Sequence, residues 1–308
     1  MENMKYAYGP VPSRRLGMSL GISPIPEKAC NYSCTYCQLG RTNHMSNQRQ
    51  EFFPLEDILE EFRTYIRDEV PFDVVTVVGE GEPTLYSRLG ELIQGMKAET
   101  DKPIAVITNG ALLYDPKVRE ELAWADIVLP SMDAFDEASY KAIDRPYGKL
   151  RYDQVMAGLE LFSHAYRGQI WMEVMLIEGA NNDEESLQKF ARQLERIRHD
   201  RVYVNTPVRP PAESYVQVAN EESIRRAVEL FGGISIDMLA SGSFFSEIAD
   251  PYEAILSIAR RHPMNQFEVT SFLDSRKVAD KDAIFARLEA DSRVTAIPYK
   301  GIVTYRVN

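Results

Sequence analysis

Cys30-Asn31-Tyr32-Ser33-Cys34-Thr35-Tyr36-Cys37 places three thiols in eight residues, at C-x3-C-x2-C spacing. They are the only cysteines of the 308-residue chain. An odd count confined to one loop excludes a disulfide framework and agrees with a reducing compartment. Soft sulfur ligands suit an iron–sulfur cubane, each thiolate taking one corner. With no fourth cysteine, one iron of a [4Fe-4S] cluster would keep an open site where a substrate or cofactor binds. The alternatives are three small buried hydrophobes, which fits poorly with polar neighbours, or zinc bound with His44 as Cys3His.

On either side of the loop, apolar runs alternate with helical spacing. Strands are predicted at 19–25, 74–78, 104–108, 127–131, 170–177 and 202–205. Helices are predicted at 54–68, 89–98, 116–123, 152–164 and 184–198. The Val74–Val78 run, VVTVV, is continuous and β-branched, as a strand buried on both faces would be. Six β–α units with short loops predict an α/β fold with parallel strands and crossover helices. The pattern fits a partial (β/α)6 barrel of TIM type or a doubly wound open sheet, and periodicity does not separate them. Either would gather functional residues at the strand C-termini.

The texture changes after Pro207, where prolines cluster. Helices are predicted at 221–231, 251–261, 265–273 and 281–290, then a hairpin of 294–298 and 302–307 joined through Tyr299-Lys300-Gly301. Three helices and a hairpin suggest a small C-terminal winged-helix-like domain at 251–308, joined to a core at 1–215 by an extension at 216–250. Net charge is −11, which argues against coating nucleic acid or anionic membrane through overall charge. The charge is uneven. Residues 1–50 carry +4 and 251–308 carry +2, leaving 51–250 at −17. Arg14 and Arg15 belong to the basic start, which would meet an anionic substrate, offset a thiolate-bearing cluster or pair with acidic helices. No apolar run serves as a signal core or reaches the roughly 20 residues of a membrane span. A cytoplasmic location and no membrane partner are therefore expected.

The cysteine motif, on the loop after the first predicted strand, resembles that of the radical S-adenosylmethionine (SAM) superfamily, over residues 5–211. The stretch Gly9-Pro10-Val11-Pro12-Ser13-Arg14-Arg15-Leu16-Gly17 further resembles iron–sulfur oxidoreductases related to wyosine-base synthases. The resemblance implies a [4Fe-4S] cluster on Cys30, Cys34 and Cys37, with SAM chelating the open iron. It also implies reductive SAM cleavage, hydrogen-atom abstraction, and a low-potential electron donor of flavodoxin or ferredoxin type. Tyr36 matches the aromatic the family sets against adenine. Gly81-Glu82-Pro83 matches three positions of a G-G-E-P turn whose backbone meets the SAM amine; Glu80 stands in place of its first glycine. Thr108-Asn109 and Ser131-x-Asp133 are similar to motifs near the SAM ribose and carboxylate, although such residues also cap helices and form turns. Glu173, a charge within an apolar strand, is either a site residue or structurally paired. Asn205 and Arg209 are weaker candidates.

The substrate is not encoded in a readable form: a small molecule, an RNA or a protein all remain open. Wyosine-base synthases carry extra cysteines for a second cluster, and this chain has none to spare. RNA-base modification, activation of a glycyl-radical enzyme and a DNA-binding iron–sulfur regulator are the competing functions.

Overall fold

The structure is a computed structural model and describes residues 4–236, 244, 246, 248–299 and 302–307. The first part of the chain runs β1 (Ala7–Ser13), β2 (Gly17–Ile22), β3 (Ala29–Cys30), β4 (His44–Met45), α1 (Leu55–Arg67), β5 (Val74–Val77), α2 (Leu89–Glu99), β6 (Ile104–Thr108), α3 (Pro116–Leu122), β7 (Ile127–Pro130), α4 (Glu137–Ile143), α5 (Tyr152–Ala165), β8 (Gln169–Met175), α6 (Glu184–Leu194), β9 (Arg201–Asn205), α7 (Glu221–Phe231) and β10 (Ile234–Ser235). The large sheet has the order β1-β2-β5-β6-β7-β8-β9-β10. All pairs from β2 to β10 are parallel, and β1 is antiparallel to β2. The order follows the sequence without the reversal a doubly wound sheet requires. The result is an α/β fold whose parallel sheet matches a barrel left open, with β1 and β10 as its edges.

Alternation along the strands sorts side chains into two layers. Val75, Val77, Val106, Val128, Val174 and Val204 face the helices and join a core with Ile58, Phe62, Leu92 and Met96. Val74, Ala105, Ile127, Leu129, Trp171 and Tyr203 face inward and form an apolar plug with Leu16 and Ile236. Further along some strands the same face turns polar: Thr76, two residues past Val74, shares a hydrogen bond of 2.6 Å between hydroxyls with Ser19. Glu173 and Asn205, two residues past Trp171 and Tyr203, keep that inward phase.

Several boundaries depart from the sequence reading. The first parallel strand ends at Ile22, not Ile25, because Ser23 turns the chain, its hydroxyl donating to the Ile25 carbonyl at 3.1 Å. β1 was not predicted, since Pro10 and Pro12 read against a strand; as an edge strand it needs fewer donors. α4 was also missed; Asp136 caps it with a reciprocal Ser139 bond. α6 stops at Leu194, four residues early. Within the predicted 216–250 extension, α7 contacts α6 and β9, and β10 pairs with β9; residues 237–243, 245 and 247 lie outside the described residues, as do Lys300 and Gly301.

The C-terminal part runs α8 (Pro251–Arg261), β11 (Met264–Asn265), α9 (Gln266–Ser275), α10 (Lys281–Ala290), β12 (Val294–Tyr299) and β13 (Ile302–Val307). β11 was not predicted; it makes the hairpin a three-stranded sheet of order β11-β13-β12. The core of this unit, including Tyr252, Ile255, Ile258, Phe272 and Tyr305, is continuous with Tyr8 and Val11 of β1. The unit also reaches the chain leaving β9: Arg209 Nε donates to the Pro263 carbonyl at 2.8 Å, and the Tyr299 hydroxyl to the Pro207 carbonyl at 3.1 Å. It therefore touches the β1 edge of the open sheet and the chain leaving β9. Among the described residues no helix is long and apolar enough to cross a membrane.

Candidate functional site

Cys30 ends β3, and Cys34 and Cys37 follow on the loop after it. Long-range bonds fix this loop. Ser33 N donates to the Asp144 carbonyl (3.0 Å), Thr35 N to that of Ile143 (2.9 Å), and Tyr147 N to that of Asn31 (2.7 Å). Arg145, at φ 46°, donates from Nε to the Ser33 carbonyl at 2.6 Å. Glu213 accepts from Arg145 at 2.6 Å and from Arg41 through two bonds of 2.8 Å, while its own N–H donates to Thr35. These cations hold the Glu213 carboxyl down at about 2. Neither Arg145 nor Glu213 was singled out from sequence, because nothing local marks a support 112 to 178 residues from the loop position it holds.

The loop's chemistry fits a cluster. Burial raises all three thiols, and the Cys34 thiol is raised further by Asp144, Cys37 and Cys30. Neutral thiols sharing a site are ligands in waiting, since coordination itself deprotonates them. Cys30 Sγ already accepts from Tyr32 N (3.4 Å) and lies 3.7 Å from Asn109 Nδ2. N–H donors aimed at sulfur stabilise ligated thiolate and tune a cluster. Cys34 Sγ lies 3.7 Å from Asp144 Oδ1, whose carboxyl burial and Asp133 raise well above the usual range. His44 sits on exposed β4 with its ring Nδ1 2.7 Å from Asn43 Oδ1. Among the described residues, no three His, Cys, Asp or Glu side chains gather as a single metal ion would need.

The turn after β5 is stitched to this loop. A Cβ on Gly81 would stand 1.8 Å from the Ala29 carbonyl oxygen, so glycine is required by backbone approach to the strand bearing Cys30. Glu82 N donates to that same oxygen at 3.1 Å. The Glu82 carboxylate is buried and accepts from Thr84 N (3.0 Å), Thr84 Oγ1 (2.6 Å), Thr108 Oγ1 (2.6 Å) and Asn109 N (2.7 Å). Glu82 and Thr108 are thus joined to each other, bracing the turns after β5 and β6. Pro83 opens the short 3-10 turn Pro83–Leu85. Asn109 Nδ2 donates to Asn31 Oδ1 at 2.7 Å. Glu80, where the motif has glycine, is buried, and its Oε2 lies 3.6 Å from Arg261 Nε of α8.

The remaining candidates fall into two places. The Tyr36 hydroxyl donates to Asp133 Oδ2, and Asp133 Oδ1 accepts from Met175 N at 2.8 Å. Burial raises the Asp133 carboxyl despite these bonds. Ser131, Asp133 and Asn109 line a space of about 20 Å³ beside Tyr32 and Asp144, room for about one water. Glu173 lies elsewhere, in the barrel lumen, accepting from Asn205 Nδ2 at 3.0 Å and contacting the Arg15 guanidinium. That lumen holds about 370 Å³ and is lined by Tyr36, Cys37, Arg14, Arg15, Glu173 and Asn205, and by Arg209, Arg261, His262 and Glu268 from the sheet exit and the C-terminal unit. His262 was not among the site candidates read from the sequence.

Comparison with known proteins gives the family and the fold. The model of the radical SAM superfamily matches residues 25–191. Over 313 residues the chain is 34% identical to a UPF0026 protein of Methanocaldococcus jannaschii, covering 99% of this chain and 97% of that one. In fold it is similar to a radical SAM methyltransferase from Sphaerobacter thermophilus (TM-score 0.53, 15% identity, 71% of this chain and 67% of that one). It is also similar to SuiB of Streptococcus suis bound to S-adenosylmethionine (TM-score 0.51, 16% identity, 68% and 46%). A family match over more than half the chain, on a parallel sheet whose first crossover loop carries three thiols, makes this protein a UPF0026 member of the radical SAM superfamily, whose enzymes use a [4Fe-4S] cluster and SAM.

Proposed function

We propose that the chain is a cytoplasmic radical SAM oxidoreductase or transferase that takes a hydrogen atom from an organic substrate held in the barrel lumen. The observation that carries this reading is the shared position of Tyr36 and Cys37, which belong to the thiol loop and also line the 370 Å³ space. Cys30, Cys34 and Cys37 would hold the cluster. Bound there with SAM and reduced by a low-potential flavodoxin or ferredoxin, it supplies one-electron sulfonium cleavage and hydrogen-atom abstraction. The protein's own share is placement and shielding. Glu82 and Thr108 fix the turns after β5 and β6, leaving the Gly81–Pro83 backbone to face the SAM amine. Asn109, Ser131 and Asp133 offer short polar groups for its ribose and carboxylate, and the Tyr36 ring is held for adenine by its hydroxyl bond to Asp133. Glu173 bounds the substrate side.

The domain division is read as a core at 1–215, an extension at 216–250 and a winged-helix-like unit at 251–308. The order helix–strand–helix–helix–hairpin supports the winged-helix reading. The unit's place across the open sheet supports a role as a wall of the lumen over a nucleic-acid reader. Anaerobic reconstitution should give about four irons per chain and SAM-derived 5′-deoxyadenosine under reduction. Cys34→Ala should lose both; retained cleavage in that variant, or zinc as the sole metal bound, refutes the assignment.

A further inference from the structure

The lumen's charge runs against that of the whole chain. The sequence carries eleven more acidic than basic side chains, yet among the described residues the lumen wall presents four arginines, no lysine and two carboxylates. The arginines come from separated places: Arg14 and Arg15 from the β1–β2 turn, Arg209 from the chain leaving β9, and Arg261 from the end of α8. These are the β1 side of the open sheet, the exit of β9 and the C-terminal unit that contacts both.

They converge. Arg209 Nη2 lies 2.5 Å from His262 Nε2 and 3.0 Å from Glu268 Oε1. Burial pushes His262 well below its ordinary range, and the charges acting on it are Arg209, Arg14 and Arg15. His262 is therefore a neutral ring in a positive field. Arg15, in contact with Glu173, is lowered to about 10, mainly by burial and in part by Arg14. Arg209 is lowered by burial and by Arg14 despite Glu268. Guanidinium groups crowded in a largely buried space carry a desolvation cost that an incoming anion would offset. Their planar forks match carboxylate and phosphate oxygens, which a lysine ammonium does less specifically. A lumen of about 370 Å³ falls within the size of small-molecule sites, about 300–1,000 Å³.

We infer that the substrate of this enzyme is a small anion, a carboxylate or phosphate ester, whose charged group is bound by Arg15 and Arg209. This rests on the radical SAM reading above and adds the chemical class of the substrate. It makes the C-terminal unit part of the substrate site, because Glu268 and His262 orient Arg209.

The test uses the reconstituted holoprotein saturated with SAM, titrated calorimetrically with malonate and, separately, with inorganic phosphate. One of the two should bind in the millimolar range or tighter. Arg15→Gln and Arg209→Gln should each weaken it at least tenfold while SAM affinity changes less than twofold; Arg209→Lys should lose less than Arg209→Gln. The better-bound probe distinguishes carboxylate from phosphate. If neither anion binds the SAM-loaded wild type, the inference is overturned. It is equally overturned if the anion binds only without SAM, or if the variants lose SAM and not the anion, since the arginines then serve SAM's own carboxylate. A wild type that holds no iron and no SAM fails the parent reading instead.

Discussion

Gly81→Ala is the sharpest single test of how the site is built. The added methyl carbon would lie 1.8 Å from the Ala29 carbonyl oxygen and 2.7 Å from its carbon, both backbone atoms that no rotamer change can move. Real contacts of this kind stay above 3.0 Å, so the turn and β3 must part by about 1.2 Å. Two bonds cross this seam, Glu82 N to Ala29 O at 3.1 Å and Lys28 N to Glu80 O at 2.5 Å. Overpacking costs about 1–3 kcal/mol and each lost bond about 0.5–1.5 kcal/mol, giving about 2–6 kcal/mol if both go. At about 2 °C per kcal/mol for a chain of this size, the melt should fall by about 4–12 °C. Because the next residue after Ala29 is Cys30, iron per chain after anaerobic reconstitution should fall as well. Gly148→Ala, where a methyl group meets nothing within 4 Å, is the control and should leave melt and iron unchanged. If Gly81→Ala melts within about 1 °C of the parent and keeps its iron, the turn is not pinned against the thiol loop and the reasoning is wrong.

Arg261→Met leaves buried Glu80 without its cation and should cost about 3–5 kcal/mol by thermal melting, with Glu80→Gln in the same chain restoring most of it. Burial already raises Glu80, and losing Arg261 raises it more. A raised acid favours folding while protonated and loses that contribution as pH climbs through its folded value, so the variant's deficit should be largest at neutral pH and close on acidification. Glu213→Gln should loosen the thiol loop and lower iron retention during gel filtration. The Glu213 carboxyl is depressed to about 2, so its contribution is present above the ordinary carboxylate range. The melting difference should narrow as pH falls towards 2. Arg306 Nη1 donates to the Gln38 carbonyl at 3.3 Å, and its charge favours ionised Cys37. Arg306→Gln should shift the cluster to lower potential in an EPR redox titration, because removing a nearby cation disfavours the added electron.

What was legible in the sequence was local. Six parallel strands announced themselves as apolar runs, because each signal fits within one element and its loop; their order, which separates an open barrel from a doubly wound sheet, was not readable and comes from the structure. Glu173 stood out as a charge in an apolar run, and strand alternation puts it in the lumen with Arg15 and Asn205. Illegible was whatever depends on distant segments. β1 was hidden by Pro10 and Pro12, harmless only because the strand lies at an edge. The thiol loop's supports come from Ile143–Tyr147 and Glu213, a segment after an unpredicted helix and a residue in a proline-rich exit. Glu82 and Thr108 were singled out by motif as cofactor contacts; their mutual bond shows that they also brace two adjacent turns.

The departure of Glu80 from the G-G-E-P pattern has a physical account that links the two parts of the chain. Glycine there would leave Arg261 facing a buried space with no carboxylate. With glutamate, the side chain meets α8 while the carbonyl of the same residue still accepts from Lys28, two positions before Cys30. On the other side of the motif, Arg306 of β13 reaches the carbonyl of Gln38, directly after Cys37. The C-terminal unit therefore contacts the thiol loop directly at Gln38 and through Glu80 on its other flank, and supplies Arg261, His262 and Glu268 to the lumen. A mobile accessory domain would need none of these contacts, and buried arginine–glutamate pairs are costly to separate. The unit is better understood as a fixed wall, by which one segment borders both the thiol loop and the lumen.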